Sequence, residues 1–450
     1  MGHICHMLNR FLIWLFKARD NSPLVVFRMF FGFLLFAEAL GAIVTGWVRR
    51  AFVEPKMSIP FNGFDWLATL LHGEMMYVWY SIMAVLGLLI MIGFRYKLSM
   101  LAYALFWTCT YLIQKTHYNN HYYLMVVLCF VFVLLPAHRY ASFDVKRKPL
   151  LKRLTCPNWV YVLLIGLFAI VYFYASFNKL YGDWLHATPV GNWFSGKTDY
   201  PIIGPLLAQE WMPWVISYGG IVFDGLIIPA LLWKRTRKVA FGFNLFFHLF
   251  NSAVFQIGVF PYLMIAITVL FFPPETVRRI FLKNKPPLDE SNSESYPVKP
   301  AIAFAVTGFL LLNFLMPLRH FIIEGPVLKT EEGHRMSWRM MLRSRTGTLG
   351  IKLKDIKNKQ LEYVKLKDYL TRSQIRTVAT HPDALYWFLQ KLKKDYDAKG
   401  WTDYKIYVRN RVSVNGGEYF YQYDHTKDMR NVEWHFFRHD DWILYEDLEE

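Results

Sequence analysis

The stretch "FNKLYGDW" (177–184) sets a lysine, Lys179, and an aspartate, Asp183, one helical turn apart at the end of "VYVLLIGLFAIVYFYAS", a run with no charge. An amine works as a base near neutral pH only when its pKa falls from ~10.4, and desolvation in apolar surroundings lowers it by several units. The aromatic run supplies such surroundings. A nearby acid favours the ammonium, so Asp183 is expected to point away from Lys179. Three more clusters put polar groups into apolar text: "KTHYNNHYYL" (115–124) with His117 and His121, "FFHLFNSAVFQIGVFPY" (246–262) with His248, Asn251, Ser252 and Gln256, and "MPLRHF" (316–321) with Arg319 and His320. Polar groups in a bilayer are costly and usually face the bundle interior, where they act or satisfy one another.

Taken singly, each has a plain structural reading. Lys179 snorkels to headgroups with Asp183 as its i, i+4 partner; the histidine pair bonds at the interface; Arg319 and His320 mark a membrane exit; Glu38 and Asp224 are satisfied inside the bundle. What argues for a site is common depth.

That depth follows from the elements. Of 450 residues, 54% are hydrophobic, 18% aromatic and 19% charged, against ~25% charged in a soluble domain. The apolar residues gather into stretches near the ~20 a membrane-crossing helix needs: 24–48, 76–94, 97–113, 121–136, 158–178, 213–233, 238–251, 258–272 and 300–317. The basic connections "FRYKLS" (94–99), "HRYASFDVKRKPLLKRL" (138–154), "WKRTRK" (233–238) and "VRRIFLKNKP" (277–286) alternate with weakly charged ones, which sets them on the cytoplasmic side. Arg49 and Arg50 dissent. All four polar clusters then fall at the outer face, and the net charge of +17 reads as topology and anionic-lipid contact, with no need of nucleic acid.

The start, "LNRFLIWLFKARD" (8–20), fits an interfacial amphipathic helix better than a cleaved signal, its apolar core being short and bounded by Arg10 and Lys17. Cys5, Cys109, Cys129 and Cys156 suggest neither a disulfide framework nor a zinc site. "KNKPPLDESNSESYPVK" (283–299) has linker composition. Beyond it, "RMSWRMMLRS", "TLGIKLKDI", "LEYVKL" and "YKIYVRNRVSV" alternate with strand period, "NGG" (415–417) predicts a hairpin into "EYFYQYD", and "HPDALYWFLQKLKKDY" (381–396) is an amphipathic helix. The expected architecture is a polytopic α-helical membrane bundle of about nine transmembrane helices with a C-terminal extracytoplasmic α+β domain, mainly antiparallel β. Its divisions are an interfacial helix (1–20), a membrane domain (21–317) and an outer domain (318–450).

"KTHYNNHYYL", "IVYFYASFNKLYGDW", "FFHLFNSAVFQIGVFPY" and "MSWRMMLRSRT" (336–346), in this order and spacing, resemble the vitamin K-dependent γ-glutamyl carboxylases and their bacterial relatives, the group that shares the HTTM domain. The likeness runs from about residue 20 to about residue 440. It implies a membrane enzyme that oxygenates vitamin K hydroquinone (menaquinol-type) with O2 to the 2,3-epoxide. The base so formed removes a γ-proton from glutamate, in a peptide or protein on the outer side, for addition of CO2; no metal is implied.

The resemblance also assigns roles. Lys179 is the base that deprotonates the hydroquinone; Asn120 and His121 hold the quinone oxygen; Tyr172, His248, Asn251 and Ser252 line the quinone pocket; His320, Trp338 and Arg345 belong to the part closing over the glutamate. Donors such as Asn120 and His121 are strongest at low dielectric, and burial protects so strong a base from water. Animal members carry tryptophan where Tyr118 stands and a long further C-terminal region, so recognition through a propeptide is not expected here. The expected lack of a cleaved signal and of disulfides, with the compact length, suits a bacterial plasma membrane. Two other classes bear on the same residues. A di-iron oxygenase or desaturase would use clustered histidines, but only His117 and His121 show HxxxH spacing and no HxxHH box follows; metal content separates it. A non-catalytic quinone-binding or transport protein would show no quinone turnover.

Overall fold

The computed structural model describes residues 2–255, 257–288 and 296–446; Gln256, the middle of the 283–299 linker and the last four residues lie outside them. The chain opens with helix α1 (Gly2–Phe16), which leaves Met7, Leu8, Phe11, Ile13 and Trp14 exposed while burying Leu15 and Phe16. Such an apolar outer stripe suits a helix lying in the membrane interface. Strand β1 (Ala18–Asp20) pairs antiparallel with β2 (Thr155–Pro157).

Among the described residues, five helices are long and apolar enough to cross a membrane: α2 (Ser22–Val44), α3 (Met75–Ile92), α6 (Trp159–Phe177), α7 (Met212–Leu232) and α11, whose span runs on as a 3-10 turn (Pro300–Phe321). A sixth is broken. Helix α9 (Phe260–Ala266) and its 3-10 continuation to Phe271 meet α10 (Pro274–Phe281) at 119°, where Pro273 and Pro274 cannot continue a helical ladder. The other three apolar stretches form α4 (Tyr96–Leu112), α5 (Asn120–Leu134) and α8 (Arg237–Phe255). The first two have 17 and 15 residues, and α8 begins with Arg237 and Lys238 and carries Asn244 and His248. Length and composition therefore establish five to six spans.

Helices α2 and α3 approach closely because glycine lets them. A Cβ at Gly32 would stand 2.4 Å from Met91 N, and one at Gly87 would stand 2.5 Å from Phe36 N. Any side chain there would force the backbones apart. The inner end of the expected linker is pinned: Lys285, 2% exposed, ion-pairs with Asp20 and donates to Asn21 Oδ1 at 2.7 Å and Ser22 Oγ at 2.8 Å.

The C-terminal region holds a three-stranded antiparallel sheet in the order β4–β3–β5, from β3 (Arg345–Asp355), β4 (Leu361–Tyr363) and β5 (Tyr404–Val414). Period-2 alternation turns Ile351 and Leu353 inward opposite Val408 and Ile406, each burial contributing ~1.5–3 kcal/mol. This face packs on α12 (Arg372–Thr380) and α13 (Pro382–Ala398), with Leu385, Phe388 and Leu392 fully buried. Thr371 and Gln374 form a capping box at the start of α12, and Gln374 Nε2 also donates to Met57 O at 2.6 Å. Two strand expectations are corrected. The "NGG" turn forms, with Asn415 and Gly416 left-handed and Gly417 N bonded to Val414 O at 3.0 Å, but beyond it the described residues form isolated bridges instead of a strand, Phe420 with Val412 and Tyr423 with Ile443. The segment 335–344 is irregular and has left-handed residues at Met336, Trp338 and Met341.

Candidate functional site

Two cavities adjoin where the bundle meets the C-terminal region. The smaller, about 90 Å³, is walled by Tyr172, Lys179, Trp184, Asp224, His248, Asn251 and Phe260 among others. The larger, about 860 Å³, is walled by helix ends, the 334–345 segment and α12. His121, Ile257, Met340 and Met341 belong to both walls.

Lys179 follows the last turn of α6 and is 7% exposed. Its ammonium pairs with Asp224 of α7 and stands 5.4 Å from the Trp184 ring centre. Asp183 points elsewhere, accepting from Asn415 Nδ2 at 2.9 Å. The acid that bears on Lys179 is therefore Asp224, an aspartate the sequence marks only as a lone charge in an apolar helix. Two turns up α6, Tyr172 shares a hydrogen bond with His248 Nε2 at 2.9 Å, leaving the buried His248 Nδ1 without a partner among the described residues. His121 stacks on Phe260 with ring centres 3.7 Å apart. Asn120 donates to Arg339 O at 2.9 Å and accepts from Tyr118 Oη at 3.1 Å.

The remaining expected residues divide. Asn251 faces the smaller cavity and Arg345 the larger. Ser252 bonds the Tyr262 hydroxyl at 3.0 Å and lines neither. Trp338 is buried against Tyr123, ring centres 4.9 Å apart. His320 packs under Gly333, its Nδ1 2.8 Å from Pro317 O. These last two support the wall from behind.

The left-handed residues of the 336–341 segment cost ~1–3 kcal/mol each unless their surroundings hold them. Here the surroundings are the site. Met336 N donates to Tyr118 Oη at 2.6 Å, Arg339 Nη1 to Asn178 Oδ1 at 3.2 Å, and Asn178 Nδ2 to Ser337 O at 3.3 Å. One strained loop thus clamps both Asn120 and the turn that carries Lys179.

The larger cavity is cationic. Arg50, Lys115, Arg335, Arg339, Arg343, Arg345 and Arg376 line it, and Glu38 is the one acid among its described lining residues. Just behind the wall, Glu331 takes Arg343 through both oxygens and Arg345 at 3.3 Å. Asp383 takes Arg335 at 2.7 Å and Lys115 at 3.6 Å. Burial pushes both carboxyls up, but these cations outweigh it and hold them well below the usual carboxylate range. Burial lowers the Lys115 ammonium to about 8 against the pull of Asp383, takes the His381 imidazole down to about 4 and drives His334 well below its ordinary value. Glu331, His334 and His381 bring ligand atoms within 4.8 Å of one another, a spacing a metal could use. A cation there would have to displace guanidiniums from Glu331, so the cluster is already balanced in charge. Neither Glu331 nor Asp383 carries a sequence signal beyond an acid among polar neighbours.

Bundle and cap define an integral membrane protein whose C-terminal region closes a cavity at one end of its helices. Residues 16–275 match the HTTM domain, and residues 298–449 match the lumenal domain of vitamin K-dependent gamma-carboxylase. The chain belongs to the vitamin K-dependent gamma-carboxylase family, which makes it a carboxylase-like membrane protein with an extracytoplasmic C-terminal region. No solved structure matches it significantly.

Proposed function

We propose that this chain is a vitamin K hydroquinone epoxidase with γ-glutamyl carboxylase capability, the small cavity taking the quinone ring and the cationic one the glutamate. Bound reduced vitamin K would supply, with O2, a base able to take a glutamate γ-proton for CO2 addition. The observation that carries this reading is the shared wall: the lysine–aspartate pair and the cationic chamber are separated by His121, Ile257, Met340 and Met341.

The lining suits a hydroquinone: aromatic faces, the unpartnered His248 Nδ1 and the Lys179 amine. At about 90 Å³ the cavity is smaller than the ~150 Å³ that holds a benzene ring. Ring entry therefore requires the wall to move, and Met340 and Met341, unbranched and flexible, are the side chains able to do so. Lys179 Nζ accepts a hydroxyl proton only as free amine, and Asp224, directly against it, is placed to hold the proton it gives up. His121, free of hydrogen bonds to neighbours, points its ring at both chambers and can donate to an oxygen that gains charge. Asn120 gives one amide hydrogen to Arg339 O and has a second with which to do the same. Tyr172 fixes His248, and Asn251 borders the ring space. The excess of guanidinium in the larger cavity draws and orients a carboxylate, with Arg345 at its wall and Trp338 and His320 bracing the loop.

The topology belongs to the same proposal: nine crossings, a cytoplasmic N-terminus, a plasma membrane of bacterial type, and residues 318–450 outside. A reporter of cytoplasmic exposure fused after Glu450 should stay silent, and a positive signal would overturn it. For the chemistry, detergent-purified protein is given reduced vitamin K, O2, labelled bicarbonate and a short glutamate peptide, with epoxide and label followed separately. Epoxide should form without any propeptide and peptide labelling should be weak. No epoxide above the protein-free rate would sink the reading.

A further inference from the structure

Beyond the cationic chamber lies a third cavity of about 400 Å³, within the ~300–1,000 Å³ of small-ligand sites. Phe61, Trp434 and Phe436 form its aromatic side, and Lys115, Arg319 and Arg335 its cationic side. Lys115 and Arg335 share Asp383 as their ion-pair partner. Arg319 is different. It is 5% exposed and has no ion pair among the described residues. One nitrogen donates to Arg335 O at 3.1 Å, its face lies 3.6 Å from the Phe436 ring centre, and Nε and Nη1 have no partner among the described residues. A buried guanidinium with two idle donors is expensive unless an anion completes it.

We propose that this cavity is a carboxylate subsite for an acidic and apolar peptide segment, Arg319 taking the carboxylate and Phe436 with Trp434 taking an adjoining apolar side chain. The cavity shares Lys115, His334 and Arg335 with the larger chamber, so one peptide could reach both. A lipid phosphodiester carries the same single charge as a carboxylate, and the aromatic side formed by Phe61, Trp434 and Phe436 argues for a peptide's apolar side chain beside that charge. The identity of the segment as enzyme substrate rests on the function proposed above; the binding itself does not.

The test uses the full chain in detergent, without quinone, so that it succeeds or fails independently of turnover. The probe is a short peptide of alternating leucine and glutamate bearing a photoactivated diazirine, with adducts mapped by mass spectrometry. Adducts should fall at 61–64 and 434–436. They should drop about tenfold or more with a glutamine-for-glutamate peptide and in Arg319→Gln, as loss of a charged hydrogen bond implies, and Arg319→Lys should restore part. Should Arg319→Gln fail to fold, Phe436→Ala, at a position 40% exposed, should show a similar drop. Adducts confined to 338–345, equal labelling by the glutamine peptide, or displacement by phosphatidylglycerol but not by unlabelled glutamate peptide would each overturn the proposal.

Discussion

Lys179→Arg should insert and fold yet lose epoxide formation by ~10²–10⁴-fold, the usual weight of a general base. Guanidinium can keep the pairing with Asp224, but it stays charged at any workable pH and cannot accept the proton. Near-normal turnover would return Lys179 to a headgroup-seeking role. The alanine variant is less clean than the sequence suggests. Removing a partly desolvated ammonium looks harmless until Asp224 is seen against it; stripped of its partner, that buried carboxylate costs ~3–5 kcal/mol. Lys179→Ala combined with Asp224→Asn removes both charges, and small amines should then rescue part of the activity, increasingly as pH rises and more amine is unprotonated.

Asp383→Asn should have the largest effect on stability, ~3–5 kcal/mol, because it leaves two buried cations, Lys115 and Arg335, without their carboxylate. Those cations come from the connection between α4 and α5 and from the strained loop, so the C-terminal region should loosen from the bundle. Limited proteolysis and the melting temperature would report it; a change within ~1 kcal/mol, the scale of a surface pair, would show that this seam bears no load. Acid should open the same seam. His381 is lowered from 6.5 to about 4 and His334 further, so between those values the unfolded chain binds more protons and stability falls as pH falls. Glu331 and Asp383, both depressed, add to the loss below the ordinary carboxylate pKa. Glu332 has the opposite sign: burial raises it to about 7, so it favours the fold as pH drops towards its ordinary value. One carboxyl against two imidazoles does not reverse the trend.

Periodicity made the regular elements legible. The nine apolar stretches all fall on helices, β5 coincides with its alternating segment, most of β3 lies in another, and α13 follows its proline-led pattern. The acids of the site were not legible in the same way. Asp183, four residues from Lys179, points away as expected, while the acid that pairs with the lysine is 45 residues away on another helix, a distance no local pattern reports. The 335–344 segment alternates like a strand, yet hydrogen bonds given by Asn120 and Asn178 and accepted by Tyr118 hold it in a left-handed path. Tertiary partners overrode propensity there. Glu331 and Asp383 look like ordinary polar positions until burial and guanidiniums surround them.

The walls of the large cavity also carry a timetable. Its first contributors are Ala37 and Glu38, its last is His381, and the strained loop that clamps Asn120 and Asn178 is made between them. During synthesis the helices are complete before the chain that roofs them exists. A ribosome-bound intermediate ending before residue 334 has the lysine and its aspartate but lacks the methionine partition and, of the guanidiniums lining the large cavity, has only Arg50. Assembly order alone thus withholds a closed reaction chamber until the last third of the polypeptide has folded onto the bundle.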